Sequence, residues 1–116
     1  ACEGRLAELR RRLEEAPELA LGGVTYGWLG ASLRSIRLID RPGFVEAITT
    51  PVLICAAGDE RIVSNRAMAR VARRLPRGRL LVFEGARHEL LRERDPIRRR
   101  FLEAFDAFAA EVTDAR

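Results

Sequence analysis

The chain contains no lysine; all 21 of its basic residues are arginine. A GC-rich coding bias explains that more economically than a function does. The 17 acidic residues are interspersed with the arginines, so no single-sign block forms. A mixed, solvated surface is expected, and no specific nucleic-acid partner. Long apolar runs are also missing. None approaches the ~20 residues that a membrane-spanning helix needs. The N-terminal stretch is charged and amphipathic rather than apolar, so no secretory leader is expected. Cys2 and Cys55 are the two cysteines, and they lack the spacing of a disulfide framework. A reducing, cytoplasmic setting follows as the default, with peripheral contact to the inner membrane as an option. One histidine and no cysteine cluster make a metal centre unexpected. No glycine-rich phosphate loop is present, and no cofactor is implied.

What is present centres on Pro51 to His88. Val52–Ala56 is an apolar run of strand type, broken by Ala57-Gly58-Asp59-Glu60. Ser64 and Asn65 can cap a helix in which Met68, Val71, Ala72 and Leu75 recur at helical spacing. Pro76-Arg77-Gly78 stops that helix. Leu80–Phe83 is a second apolar run, ended by Gly85. The order strand, helix, strand predicts a βαβ unit with parallel strands and a right-handed crossover.

Parallel strands end at the same edge of a sheet, and open α/β sheets keep their sites beyond that edge. Asp59 and Glu60 follow the first strand and His88 follows the second. A carboxylate and an imidazole far apart in sequence are thus delivered to one place. That suits a hydrolytic triad, in which the carboxylate orients the imidazole and the imidazole takes a proton from a nucleophile. Taken alone, a single histidine is more often structural, and Asp59 and Glu60 could simply shape a turn or cap a helix. The position of His88 favours the catalytic reading. Which of Asp59 and Glu60 serves stays open at this stage.

The rest of the chain reads as helical. Residues 3–16 form an amphipathic helix with Leu6, Leu9 and Leu13 on one face, ended by Pro17. Arg10, Arg11 and Arg12 lie across from Glu14 and Glu15. Gly22-Gly23 is a break. Residues 24–38 form a second helix, with Trp28, Leu29, Leu33 and Ile36 sharing a face. Gly27 and Gly30 weaken it by up to ~1 kcal/mol each, and ordinary helix packing accounts for them. Asp40–Gly43 is a turn, Phe44–Ile48 one or two helical turns, and Glu89–Arg94 a loop or single turn. Asp95 as N-cap and Pro96 at the first helical position start a last helix. It runs to about Val112, with Ile97, Phe101, Phe105, Phe108 and Val112 as its core stripe and residues 113–116 as a solvated tail.

A nucleophile is lacking. Gly30-Ala31-Ser32-Leu33-Arg34 is nearest to G-x-S-x-G, but Arg34 replaces the last glycine and no strand precedes it. Ser32 is read as an ordinary helix residue. Cys55 sits inside a strand, not at its tip, so a Cys–His pair with His88 is not expected. Two strands alone also make a marginal sheet, so further strands are expected upstream.

Two segments carry a resemblance to a known family. TPVLICAAGDERIVSN resembles the strand and acid loop of the α/β-hydrolases, and LLVFEGARHELLRERDPIRRRFLEAFDAF resembles their last strand, histidine and final helix. The nearest branch is that of the serine lysophospholipases and monoacylglycerol lipases. The likeness spans residues 49–112 and extends more weakly over 17–48, where YGWLGASLRSI is similar to the end of the family's helical cap. The family's histidine matches His88. Its acid matches Glu60, just before Arg61-Ile62-Val63; aspartate is usual there, so a shift onto Asp59 is the alternative.

The resemblance implies an α/β fold, specifically the C-terminal fragment of an α/β-hydrolase. Residues 1–48 would be the end of the cap and residues 49–116 the C-terminal βαβα part of the core. It implies a carboxylic ester hydrolase acting on lysophospholipids or monoacylglycerols, with a lipid ester as its partner. The triad order in this fold is Ser, acid, His, so the serine, the oxyanion donors and the first strands would lie upstream, and the chain alone would be inactive. The rival reading is a non-catalytic α/β module whose arginine-rich surface binds anionic lipid or nucleic acid.

Overall fold

The computed structural model describes residues 2–114. The elements run α1 (Glu3–Glu15), α2 (Tyr26–Asp40), β1 (Val52–Ala57), α3 (Asn65–Arg74), β2 (Gly78–Phe83) and α4 (Asp95–Asp114). Short 3-10 turns occupy Pro17–Leu19 and Leu90–Arg92. The two strands are parallel neighbours, paired from Val52↔Gly78 to Ala57↔Phe83. β2 begins two residues before its apolar run, because Gly78 and Arg79 pair through backbone groups that carry no hydropathy signal. β1 likewise runs one residue further, to Ala57.

Local chemistry explains the element ends. Ser64 caps α3 by accepting the Ala67 N–H at 3.2 Å, and Thr25 caps α2 by accepting the Trp28 N–H at 3.1 Å. Each satisfies a donor that the first helical turn leaves unpaired. Thr25 thereby starts α2 two residues later than the periodicity suggests. At the last helix Ile97 and Arg98 both donate to the Arg94 carbonyl. Asp95 is therefore the first helical residue and not the cap. Gly78 lies against α3: a Cβ there would sit 2.5 Å from Leu75 Cβ and 2.8 Å from the Ala72 carbonyl oxygen. Only glycine lets the chain leave the helix and enter the strand so closely.

The core lies directly beneath the C-terminal ends of the strands. Ala57 and Phe83, the last strand residues, pack with Ala86, Leu90 and Ile97, and Cys55, Leu81, Phe101 and Ala104 surround them. Phe83 and Phe101 meet edge to face at 6.0 Å, a favoured aromatic geometry. The inner face of α4 thus includes Ala104, while Phe105 sits at its rim and is 54% exposed. Of the tail, Thr113 and Asp114 are exposed, and residues 115–116 lie outside the described residues.

The helices before β1 are held differently. Arg74 on α3 bonds the Glu46 carboxylate at 2.8 Å and the Arg41 and Ile39 carbonyls, which ties 39–46 to the sheet. This segment forms consecutive hydrogen-bonded turns, with Ala47 N–H donating to the Gly43 carbonyl at 3.2 Å and Ile48 N–H to the Val45 carbonyl at 3.1 Å, and it delivers the buried Val45. α1 reaches the end of the 90–94 turn: Cys2 N–H donates to the Arg92 carbonyl at 2.8 Å, and Arg5 bonds the Glu93 carbonyl and the Asp95 carboxylate. Its arginines pair with Glu8 and Glu15 and not with Glu14: Arg11 reaches both, and Arg12 bonds Glu8. The expected packing of α2 is not realised among the described residues. Tyr26, Trp28, Leu29, Leu33 and Ile36 are exposed, and Gly27 and Gly30 face only Thr25 Oγ1 and Arg34 Nη1 within 4 Å.

Candidate active site

The ladder between the strands continues into their loops. Gly58 N–H donates to the Phe83 carbonyl at 2.9 Å, and Asp59 N–H to the Ala86 carbonyl at 2.8 Å. These bonds hold the two loops together beyond the sheet edge. Gly58 permits the approach, since a Cβ there would lie 3.0 Å from Glu84 Cα and 3.1 Å from the Phe83 carbonyl oxygen. Gly85, with φ +71°, turns the second loop back over the sheet end.

Glu60 and His88 meet across this junction. Glu60 Oε2 lies 2.7 Å from His88 Nδ1. The other carboxylate oxygen, Oε1, accepts three backbone N–H groups, from Arg61 at 2.8 Å, Ile62 at 2.7 Å and Val63 at 3.3 Å. The turn at 60–63 is thus wrapped around its own first side chain. The Glu60 side chain is 3% exposed. The hydrogen bond from Ile62, helped by those from His88, Val63 and Arg61, outweighs burial and lowers its pKa to about 2. Glu60 is therefore ionised at neutral pH and can only accept hydrogen bonds.

A carboxylate acceptor on Nδ1 requires a proton there, so in the neutral imidazole the Nε2 lone pair is free to accept one. The His88 side chain is 41% exposed, so the ring is both anchored and accessible.

Asp59 is placed otherwise. Its backbone joins the loops, but the residue is exposed and lines a separate cleft with Glu3, Leu6, Gly85, Arg87, Glu93 and Arg94. Ser32 lies within α2, in an unstrained helix. Cys55 packs against the core, and burial pushes its thiol pKa up, which makes it a poor nucleophile. Among the described residues no group of three or more His, Cys, Asp or Glu is arranged to hold a metal ion. A cavity of about 290 Å³ between Pro51, Arg79 and Phe108 lies at the opposite strand ends, remote from this chemistry.

Two residues take supporting roles that the sequence does not disclose, Asn65 reading there only as a helix cap. Asn65 donates from Nδ2 to the Ala57 carbonyl at 2.7 Å, joining the start of α3 to the end of β1. Glu93, 2% exposed, accepts the Arg87 N–H at 2.8 Å. In a segment as charged as Glu89–Arg94, nothing in the pattern separates a buried carboxylate from solvated ones.

Comparison with known proteins identifies the family. A family model described as serine aminopeptidase, S33, matches residues 4–95, which include Glu60 and His88. The chain is 32% identical over 107 residues to a probable lysophospholipase L2 of Haemophilus influenzae, covering 92% of this chain and 34% of that protein. It is 34% identical over 89 residues to lysophospholipase L2 of Escherichia coli K12, covering 71% and 26%. The chain therefore spans about a third of the length of these curated relatives or less. No solved structure matches it. No described helix is long and apolar enough to cross a membrane. On this family match and these relatives, and with the parallel βαβ unit in place, the chain belongs to the serine aminopeptidase S33 family of α/β-hydrolases and is lysophospholipase-like within it.

Proposed function

We propose that this chain supplies the acid and the base of a serine ester hydrolase acting on lysophospholipids. The observation that carries the reading is the 2.7 Å contact between His88 Nδ1 and a buried carboxylate held by three backbone N–H groups. Glu60 is the triad acid, and Asp59 stays outside the triad. The serine and the oxyanion donors come from sequence preceding the described residues. Among the described residues the outer edges of β1 and β2 have no strand partner, which supports further strands there. Residues 1–48 act as the end of a helical cap and residues 49–116 as the last part of the catalytic core.

In the mechanism, His88 Nε2 takes the serine proton as the hydroxyl oxygen attacks the ester carbonyl. The imidazolium that forms is stabilised by Glu60, which remains ionised throughout. His88 then returns the proton to the departing alcohol, leaving an acyl-serine. The same imidazole next takes a proton from water and hands it to serine as the fatty acid leaves. The names of the two relatives favour lysophospholipids, with monoacylglycerols as the other ester class to assay. A cytoplasmic enzyme working at the inner membrane surface fits such substrates.

The test uses the full-length protein. His88→Ala removes the base and should abolish most fatty-acid release from lysophosphatidylethanolamine while leaving the fold intact by circular dichroism. Undiminished turnover would defeat the reading. Salt-sensitive binding of that same variant to anionic vesicles or nucleic acid would then favour an arginine-rich binding module.

A further inference from the structure

His88 leaves the backbone at a point held from two sides. On one side Ala86, fully buried, accepts the Asp59 N–H through its carbonyl. On the other, Arg87, the residue immediately before His88, donates its N–H at 2.8 Å to Glu93 Oε1. The second oxygen of Glu93 lies 3.3 Å from the Arg94 N–H. Burying a carboxylate is costly unless hydrogen bonds replace its water. This one is 2% exposed, in a stretch otherwise rich in exposed charge. Its reach is back along the chain, across the 3-10 turn, to the amide that sets the direction of His88.

We propose that Glu93 is a positioning residue for His88, fixing the Arg87 peptide so that the imidazole presents Nδ1 to Glu60. The proposal rests on the catalytic reading of His88 given above. Glu60 orients the ring from its edge, and Glu93 orients the backbone from which the ring departs. The two carboxylates therefore act on different degrees of freedom. A hydrogen-bond acceptor at the position of Glu93 Oε1 is what the geometry requires. A glutamine retains that acceptor; an alanine removes it; an aspartate keeps the charge but is one methylene too short to reach the Arg87 N–H.

The order of effects is the test, measured on the full-length protein as kcat and KM per folded molecule. Glu93→Ala and Glu93→Asp should lower kcat by about tenfold to a hundredfold, the range for an ångström-scale misplacement of a reacting group. KM should stay within about twofold, because the residue touches no substrate. Glu93→Gln should hold kcat within about threefold of wild type, by the same geometric argument. The downfield Nδ1–H proton resonance of His88, assigned by its loss in His88→Gln, should persist in the glutamine variant. It should broaden or move in the other two.

Should the alanine variant fail to fold, the aspartate variant carries the same comparison with a smaller change in volume. Folded alanine or aspartate variants with wild-type kcat and an unmoved resonance would overturn the proposal. So would a glutamine variant as impaired as alanine, since that would assign the effect to charge or stability and not to the acceptor. The resonance reads the imidazole whether or not an ester is turned over. If His88→Ala kept full activity, the hydrolase reading would fall while this arm still tested Glu93.

Discussion

Glu60→Gln is the perturbation whose outcome the geometry dictates most tightly. A glutamine at this position has one acceptor oxygen and one donor nitrogen where the carboxylate had two acceptors. Oε1 faces the N–H groups of Arg61, Ile62 and Val63. Placing the NH2 group there would oppose donors to donors, so the amide oxygen must take that side. The NH2 is then forced onto His88 Nδ1, at the 2.7 Å position now held by Oε2. Nδ1 must accept from it, the ring proton moves to Nε2, and the nitrogen facing the serine no longer has a lone pair. The fold is preserved while the base is in the wrong tautomer. The corresponding acid-to-amide change in a serine protease lowers kcat about 10⁴-fold, and a similar loss is expected here. The assay is steady-state release of fatty acid from a lysophospholipid by the full-length enzyme, with Asp59→Asn as the matched control. Asp59→Asn should stay within about threefold of wild type, since Asp59 lies outside the hydrogen-bonded pair and surface substitutions of that kind are usually mild. A Glu60→Gln enzyme within tenfold of wild type would refute the tautomer argument. An inactive Asp59→Asn enzyme would assign the acid to the wrong carboxylate.

Three further outcomes follow. Gly58→Ala should separate the two loops, because its Cβ would meet backbone atoms at 3.0 and 3.1 Å; stability should fall by about 1–3 kcal/mol as for other overpacked sites, with kcat falling alongside, and unchanged urea midpoint and kcat would contradict the close approach. Acid should destabilise the protein in a defined window. The Arg74 hydrogen bond holds the Glu46 pKa down to about 2, and the Ile62 N–H does the same for Glu60. A depressed folded-state pKa contributes stability above the ordinary value of 4.5, and that stability is lost as pH falls toward about 2. Glu46→Gln should therefore flatten the decline of the urea midpoint between pH 4.5 and 2, and an unchanged slope would count against the Arg74–Glu46 bond. The isolated 116-residue chain should hydrolyse no ester; turnover abolished by Ser32→Ala would reveal a nucleophile in α2.

How much of this was legible in the sequence depends on the range of the interaction concerned. The βαβ order, the Ser64 cap and the place of His88 after β2 follow from hydropathy period and turn chemistry, which act over a few residues. They were sufficient to bring an imidazole and a pair of carboxylates to one sheet edge. Hydropathy and turn chemistry left the choice between Asp59 and Glu60 open, because two adjacent loop residues differ only in direction, and the preference for Glu60 came from the family resemblance alone. In the tertiary structure the 60–63 turn converges its N–H groups on Glu60, whose other oxygen meets His88, and leaves Asp59 facing another cleft. The stripe of α4 was readable as apolar, but only packing on the sheet puts Ala104 in the contact and Phe105 at the rim. Glu93 was invisible for a similar reason. Its 2% exposure is a consequence of how the chain turns back after His88, which composition does not record. Helix α2 shows the same division from the other side, since periodicity writes an apolar face into the sequence but cannot write what lies against it. Local order follows from local chemistry, whereas the orientation of a side chain at a site is set by groups that only the fold brings within reach.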